Sequence, residues 1–176
     1  YLKNYSLNLM INVTIFAYKR HESLERLLDF LNQLHNKKVE NINIYIDKSP
    51  KKDEDNEKVF KLVDNIKYKK DYINIFKRDK HFGLKNNLIL GITDTLQVYD
   101  AALFLEEDLE ISDTSFDFIE KYSNILSPGK IMHLSLFTPI KNKYSYLSRL
   151  MFCWGWYTNF DCWNYFIKDI KMSYPI

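Results

Sequence analysis

The sequence predicts an α/β protein: a mostly parallel sheet flanked by helices, in a doubly wound, Rossmann-like arrangement. The first observation is that apolar, β-branched runs alternate with stretches whose leucines and isoleucines recur at helical spacing. Successive strand–helix units of this kind form parallel sheets. The second is that 176 residues, 46% of them hydrophobic, suffice for one core, and only 4 glycines and 4 prolines leave no linker. We therefore predict one domain over residues 1–176.

The first half of the chain supplies two strand–helix units. Residues 11–20 (INVTIFAYKR) are a β-branched run that ends in polar residues, and a helix is expected from His21. Five leucines at helical spacing give its inner face: Leu24, Leu27, Leu28, Leu31 and Leu34. Residues 41–50 alternate as a strand that stops at Pro50. The inner face of the second helix is predicted to be Val59, Leu62, Val63 and Ile66.

The second half continues the alternation. Residues 72–79 are the next predicted strand, residues 101–112 supply the fourth strand together with three acids, and residues 130–139 are the fifth strand. The helix between the first two is predicted to bury Leu84, Leu88, Ile92 and Leu96. A fourth helix, capped by Asp113 or Thr114, is predicted to run to about Leu126, before Pro128 and Gly129.

Charge and composition exclude several classes of protein. The 25 basic and 23 acidic residues give a net charge of +2 and no bulk electrostatic case for nucleic acid. No apolar run reaches the roughly 20 residues that span a bilayer, and no signal peptide is visible. Cys153 and Cys162 lack metal-ligand spacing, which favours free thiols in a reducing compartment. We expect a cytoplasmic protein.

Polar residues follow each predicted strand, where a doubly wound sheet binds its ligands. They are Lys19 and Arg20, Asp47, the stretch 78–81, and Glu106, Glu107 and Asp108. Three adjacent carboxylates repel one another unless a cation offsets their charge. Carboxylates suit Mg²⁺ or Mn²⁺, and basic groups opposite suit phosphates. The sequence thus predicts a metal and diphosphate site.

Other nucleotide and phosphate chemistries fit less well. Neither GxGxxG nor GxxxxGK[ST] occurs, which disfavours dinucleotide-dependent hydride transfer and P-loop hydrolysis. Receiver domains and haloacid-dehalogenase-type phosphatases need acids after the first strand, and VTIFAYKR has none.

An aromatic segment, residues 151–166, contains all three tryptophans of the chain. It has three interpretations: a helix or lid that packs on the sheet, a platform on which sugar rings stack, or a surface that touches a membrane with Lys168 and Lys171 nearby. Gly155 would let a ligand approach the backbone. The sequence leaves the three open.

The chain resembles nucleotide-sugar-dependent glycosyltransferases of the GT-A fold. It is most similar to the N-acetylglucosaminyltransferase I type and to bacterial surface-polysaccharide transferases. The resemblance covers roughly residues 11–166, in the family's order. It is carried by VTIFAYKRHESLERLLDFL, YIDKS, RDKHFGLKNN, FLEEDLEISDTSFDFI and CWGWYTNFDCW. The resemblance implies a UDP-sugar donor, Mn²⁺ or Mg²⁺ as cofactor, and a glycan or lipid-linked acceptor at the inner face of a bacterial membrane.

The resemblance also implies roles for individual residues. The expected nucleotide-binding residues are Ala17, Tyr18, Arg20 on the diphosphate, Asp47 on the uracil, His81, Lys85, and Glu106 and Glu107 on ribose or metal-bound water. Asp108 would ligate the metal directly. Glu107 departs from the family, which usually has Asp in the middle of this motif. Trp154, Gly155 and Trp156 would form a sugar or acceptor platform.

The implied reaction is inverting transfer of the sugar to an acceptor hydroxyl, with a carboxylate as general base. Asp161 is the candidate base, although the family's base comes later, and we expect the true base to lie past Ile176 in a longer chain. Two alternatives remain. One is a non-catalytic nucleotide- or carbohydrate-binding module of a larger protein. The other is a sugar nucleotidyltransferase, which would normally have a glycine-rich loop where this chain has AYKRHESL.

Overall fold

The computed structural model describes residues 9–67, 70–139 and 144–173, and its centre is a six-stranded sheet. The strands are β1 (Ile11–Ala17), β2 (Val39–Ile46), β3 (Ile73–Lys77), β4 (Ala101–Glu106), β5 (Leu134–Ser135) and β6 (Trp156–Asn159). The helices are α1 (His21–Leu34), α2 (Glu54–Lys67), α3 (Gly83–Val98), α4 (Thr114–Tyr122), followed by a 3₁₀ turn (Ser123–Ile125), and α5 (Phe160–Ser173).

The strand order is β3-β2-β1-β4-β6-β5, and the first four strands are parallel. β6 runs antiparallel to β4, and β5 runs antiparallel to β6. The sheet is therefore mostly parallel and carries helices on both faces, which confirms the predicted fold class.

Each face of the sheet has its own apolar core. Val13 and Ile15 point to the face that α1, α2 and α4 cover, where Leu24, Val59 and Phe116 are buried. The opposite face is more aromatic and is covered by α3 and α5; its buried residues include Phe16, Tyr45, Ile92, Phe104, Trp156 and Trp163. Adjacent strand residues point to opposite faces, so one strand supplies both cores.

Helix α3 approaches the sheet unusually closely at Gly91. A Cβ atom at this position would lie 2.6 Å from Cε1 of Phe16 and 3.0 Å from Cγ of Tyr45, so only glycine fits. One turn further on, the buried hydroxyls of Thr14 and Thr95 form a hydrogen bond of 3.1 Å. Neither contact was predicted from the sequence.

Two details of the predicted elements are wrong. Leu84 was expected on the inner face of α3, but 64% of its surface is exposed, because the first turn of this helix extends beyond the edge of the sheet. The fifth strand was expected over 130–139 and is only Leu134–Ser135. The chain leaves the sheet there because the Ser135 hydroxyl bonds to the carbonyls of Phe137 and Phe152, both at 3.1 Å.

The aromatic segment forms part of the core. It folds into β6 and the start of α5, with Trp156 and Trp163 buried between the sheet and the helices. This agrees with the first of its three interpretations for these two tryptophans. Among the described residues, no helix is long and apolar enough to cross a bilayer.

Candidate active site

The carboxyl ends of β1, β2 and β4 lie side by side. Phe16 of β1 pairs with Tyr45 of β2 and with Glu106 of β4, so the residues that follow these strands share one edge of the sheet. We call this the carboxyl edge. It gathers most of the predicted site residues: Ala17, Tyr18, Arg20, Asp47, His81, Glu106, Glu107 and Asp108.

Glu107 fixes the turn between β1 and α1. Its carboxylate accepts the backbone N–H groups of Tyr18 (2.9 Å), Lys19 (2.9 Å) and Arg20 (3.1 Å), and only 7% of the residue is exposed. Hydrogen bonds to an ionised acceptor are about twice as strong as neutral ones. Glu107 was predicted to contact ribose or metal-bound water, but both of its carboxylate oxygens already accept backbone N–H groups.

Asp47 fixes the start of α3 in a similar way. Its Oδ1 accepts the N–H groups of Lys48 and Phe82, and its Oδ2 accepts that of Gly83 and lies 3.1 Å from Nδ1 of His81. A carboxylate offers about four lone-pair positions, and three of them accept these backbone N–H groups. Asp47 is also only 5% exposed, so little of its carboxylate is accessible for the predicted uracil contact.

Asn56, near the start of α2, ties two of these turns together. Its amide group donates to the carbonyls of Tyr18 (2.6 Å) and Asp47 (3.0 Å), and its oxygen accepts the N–H of Ser49 (3.0 Å). Only 5% of Asn56 is exposed, and its bond to the Asp47 carbonyl is fully buried. Asn56 was not predictable from the sequence, because an asparagine in a charged stretch resembles solvated helix surface.

The remaining carboxylates of the edge, Glu106 and Asp108, are available for chemistry. Asp108 forms an ion pair with the Arg20 guanidinium, and both side chains are accessible to solvent. Burial raises the pKa of Glu106 above its usual value, and the negative charges of Asp108 and Glu107 raise it further, while Arg20 lowers it. Arg20 therefore compensates only part of the negative charge that Glu106 and Asp108 place at this edge.

Aromatic and basic side chains border these acids. The rings of Tyr18 and His81 lie 6.0 Å apart, and the His81 ring nitrogen Nδ1 is 2.9 Å from the Lys48 carbonyl. Lys19 is engaged with Asp53 at 2.7 Å, which raises the pKa of the lysine and lowers that of the aspartate. Lys85 is exposed on the first turn of α3. Ala17 is buried, and its carbonyl accepts the N–H of Asp47.

A cleft of about 250 Å³ opens beside Asp108, between α1 and the segment after β4. Its lining combines polar and apolar side chains: Ser23, Arg26, Leu27, Phe30, Asp108, Leu109, Glu110 and Ile111. Arg26 and Glu110 were not among the predicted site residues. The alternation of Asp108 and Glu110 about Leu109 is a signal that could have indicated Glu110, whereas Arg26 has none.

Asp161, the predicted general base, and Trp156, part of the predicted sugar platform, do not lie in the site at the carboxyl edge. Asp161 lines a separate cavity with Asp100, at the start of β4, because Asn159 of the antiparallel β6 pairs with Ala101. It therefore sits at the opposite edge of the sheet from Asp108. Trp156 is 7% exposed and packs on Phe104.

Gly155 and Trp154 do lie at the carboxyl edge. Gly155 has a positive φ of 75°, and a Cβ there would contact Leu105 of β4. Trp154 is 55% exposed and packs edge-to-face on Phe137 at 4.5 Å. Of the three residues in the predicted platform, Trp154 alone presents an indole to solvent.

The edge fits a hard divalent cation that is only partly held by protein. Within residues 9–67, 70–139 and 144–173, no three His, Cys, Asp or Glu side chains are grouped closely enough to enclose a metal. Mg²⁺ and Mn²⁺ often use one or two carboxylates and complete their shell with water and substrate phosphates. Glu106 and Asp108 are such a pair, close enough that the charge of Asp108 adds to the effect of burial in raising the pKa of Glu106.

Comparison of the chain with models of known protein families and with curated proteins gives no match.

Proposed function

We propose that this chain is a metal-dependent glycosyltransferase that moves a sugar from a UDP-sugar to a hydroxyl of a glycan or glycolipid, with inversion at the anomeric carbon. The observation that carries the proposal is the grouping of Glu106, Asp108 and Arg20 at the carboxyl edge. Acidic ligands for a cation and a guanidinium for phosphate together suit a nucleoside diphosphate. No glycine-rich loop is present at the β1–α1 turn, so such a ligand would depend on this grouping.

The charged residues divide into three roles. Glu106 and Asp108 would hold Mn²⁺ or Mg²⁺, which would neutralise negative charge on the departing diphosphate. Arg20 would turn from Asp108 to a phosphate oxygen, where its planar fork binds two oxygens at once. Glu107 is a positioning residue, because it holds the backbone from which the Arg20 side chain projects.

The nucleobase would be recognised by Tyr18 and by the turn around His81, next to the acids. The rings of Tyr18 and His81 border the edge, and their faces offer a surface on which a flat base can pack. Asp47 holds Phe82, Gly83 and His81 in place and acts through them. UDP is the first nucleotide to test, on the strength of the sequence resemblance.

Proton transfer needs a carboxylate within hydrogen-bond reach of the acceptor hydroxyl. Asp161 lies at the wrong edge of the sheet for this task. Glu110 lines the cleft beside Asp108 and is exposed, so we propose it as the general base and the cleft as the acceptor site. Glu110→Gln should lower turnover at least about 100-fold while nucleotide binding is unchanged.

Thermal melts test the donor site directly. UDP at about 100 times its dissociation constant should add about 2.7 kcal/mol, or about 5–11 °C for a domain of this size. The shift should require Mn²⁺, disappear with EDTA and disappear in Asp108→Asn. Asp117→Asn is the matched control, since it also removes an exposed carboxylate that is paired with a cation, Lys38. GDP, CDP and ADP are run in parallel, and a shift from none of the four would refute the proposal.

A non-catalytic nucleotide-binding module is the second candidate, favoured by the distance of Asp161 from the edge. It predicts the same metal-dependent shift with UDP but no release of UDP from any UDP-sugar. Measuring UDP release from UDP-glucose, UDP-galactose and their N-acetyl derivatives, with and without Mn²⁺, separates it from the enzyme.

A further inference from the structure

A second surface lies beside the site. Residues 144–154, which we call the apolar loop, expose six large apolar or aromatic side chains to between 40% and 81%: Tyr144, Tyr146, Leu147, Leu150, Met151 and Trp154. Single exposed apolar residues are ordinary on a protein surface, and Val98 on α3 is one of them. Six within eleven consecutive residues form a patch, and patches mark interaction sites.

The stretch of sequence that contains this loop carries charge of one sign. Residues 121–160 contain no Asp or Glu, whereas the average over the chain, 23 acidic residues in 176, would give about five. The same forty residues contain five basic ones, namely Lys121, Lys130, Lys141, Lys143 and Arg149. The apolar loop therefore lies in a cationic stretch of the chain, and its own charged residue, Arg149, is exposed.

The base of the apolar loop is fixed to the sheet. Phe137 packs edge-to-face on Trp154 and on Phe152, with ring centroids 4.5 Å and 6.1 Å apart respectively. The Ser135 hydroxyl bonds to the Phe152 carbonyl, and the Thr138 and Tyr146 hydroxyls lie 2.8 Å apart. These contacts hold the loop on the sheet, yet Leu147 and Leu150 remain exposed. Their exposure is therefore not explained by a lack of contacts between the loop and the rest of the protein.

The apolar loop lies at the carboxyl edge. The chain leaves β5 after Ser135 and returns at Trp156, and these two residues pair with each other. Trp156 also pairs with Phe104, near the carboxyl end of β4, two residues before Glu106. Whatever the loop binds is therefore held at the edge that carries Glu106 and Asp108.

We propose that the apolar loop docks the chain on the surface of an anionic phospholipid bilayer. Leucine and methionine side chains would enter the acyl boundary, and tyrosine and tryptophan would lie at headgroup level, where both are enriched. The exposed Arg149 would face anionic headgroups, and a basic residue close to such a surface is worth about 1 kcal/mol. Residues 144–154 contain no Asp or Glu, which fits this occupant, because a carboxylate within the loop would be repelled. The proposal does not rest on the proposed function.

Vesicle co-sedimentation tests the proposal, with phosphatidylcholine alone and with phosphatidylcholine mixed with phosphatidylglycerol. We expect binding to the mixed vesicles, weakened by salt, and little to the neutral ones. Leu147→Ser with Leu150→Ser should weaken binding by about ten-fold or more. Arg149→Gln should weaken it about five-fold, and only on anionic vesicles. Val98→Ser, which removes an equally exposed apolar residue at the far end of α3, is the matched control.

Tryptophan fluorescence gives an independent reading. Trp156 and Trp163 are buried, so a blue shift on adding vesicles reports Trp154, and Trp154→Phe should abolish it. Equal binding by the leucine double variant and the wild type, or no binding to anionic vesicles, would overturn the proposal. Self-association that the double variant abolishes, without vesicle binding, would assign the loop to a protein interface and overturn it as well.

Discussion

Replacing Glu107 with glutamine should destabilise the protein by about 3 kcal/mol, although the side chain keeps its shape. The carboxylate accepts three backbone N–H groups, with Oε1 serving Lys19 and Arg20 and Oε2 serving Tyr18. Bonds to a charged acceptor contribute about 1.5–3 kcal/mol each. A glutamine oxygen at the Oε1 position keeps two weaker bonds, but its NH₂ group then faces the Tyr18 N–H, and two donors meet.

The assay is equilibrium unfolding in urea, supported by thermal melts. A loss of about 3 kcal/mol corresponds to a fall in Tm of about 6–12 °C for a domain of this size. Glu120→Gln, an exposed change on α4, is the control and should stay within about 0.5 kcal/mol. Hydrogen exchange of the Tyr18, Lys19 and Arg20 amides should accelerate in the Glu107 variant alone. A variant as stable as the control, with these amides still protected, would refute the structural role of Glu107.

Three further outcomes follow from contacts in the structure. Asp47→Asn should cost about 2–4 kcal/mol in urea unfolding, because one oxygen replaces two that together accept the amides of three residues. Glu106→Gln should raise the free energy of unfolding at pH 7: the pKa of folded Glu106 is raised by burial, and next by Asp108, so its ionised form is disfavoured. That gain should shrink as the pH falls toward 4.5, and urea titrations at several pH values measure it. Gly91→Ala should cost about 1–3 kcal/mol in thermal or urea unfolding despite alanine's helix propensity, because its Cβ would lie 2.6 Å from a Phe16 ring atom.

The parallel half of the sheet was predictable from the sequence, because β1 and β4 are largely continuous β-branched or apolar runs and β2 alternates apolar and polar residues. β6 was not, since its four residues, WYTN, lie within a longer aromatic run with no alternation of its own. Its antiparallel direction places Asp161 at the edge opposite Asp108, which only the tertiary structure reveals.

The position of the site was predictable from the sequence, but the contacts that its residues make were not. Topology alone brings the residues after β1, β2 and β4 together. Whether a carboxylate serves a ligand or a backbone amide depends on turns that exist only in the folded chain, as Asp47 and its amide partners illustrate. Asn56 shows the converse, since a residue without any motif joins two turns of the site.

The run of three acids at the end of β4 is tolerated because its members face different surroundings. Glu107 points inward and is bound by three amide donors, so its charge is compensated by the fold itself. Glu106 and Asp108 lie on either side of it, and Arg20 is the cation that pairs with Asp108 in this state. If the proposed function holds, a diphosphate would draw Arg20 away from Asp108 and leave the two carboxylates unpaired, and a divalent cation held by Glu106 and Asp108 would then supply the charge that offsets them. The proposed function therefore predicts that nucleotide and metal bind cooperatively, each supplying the charge that the other requires.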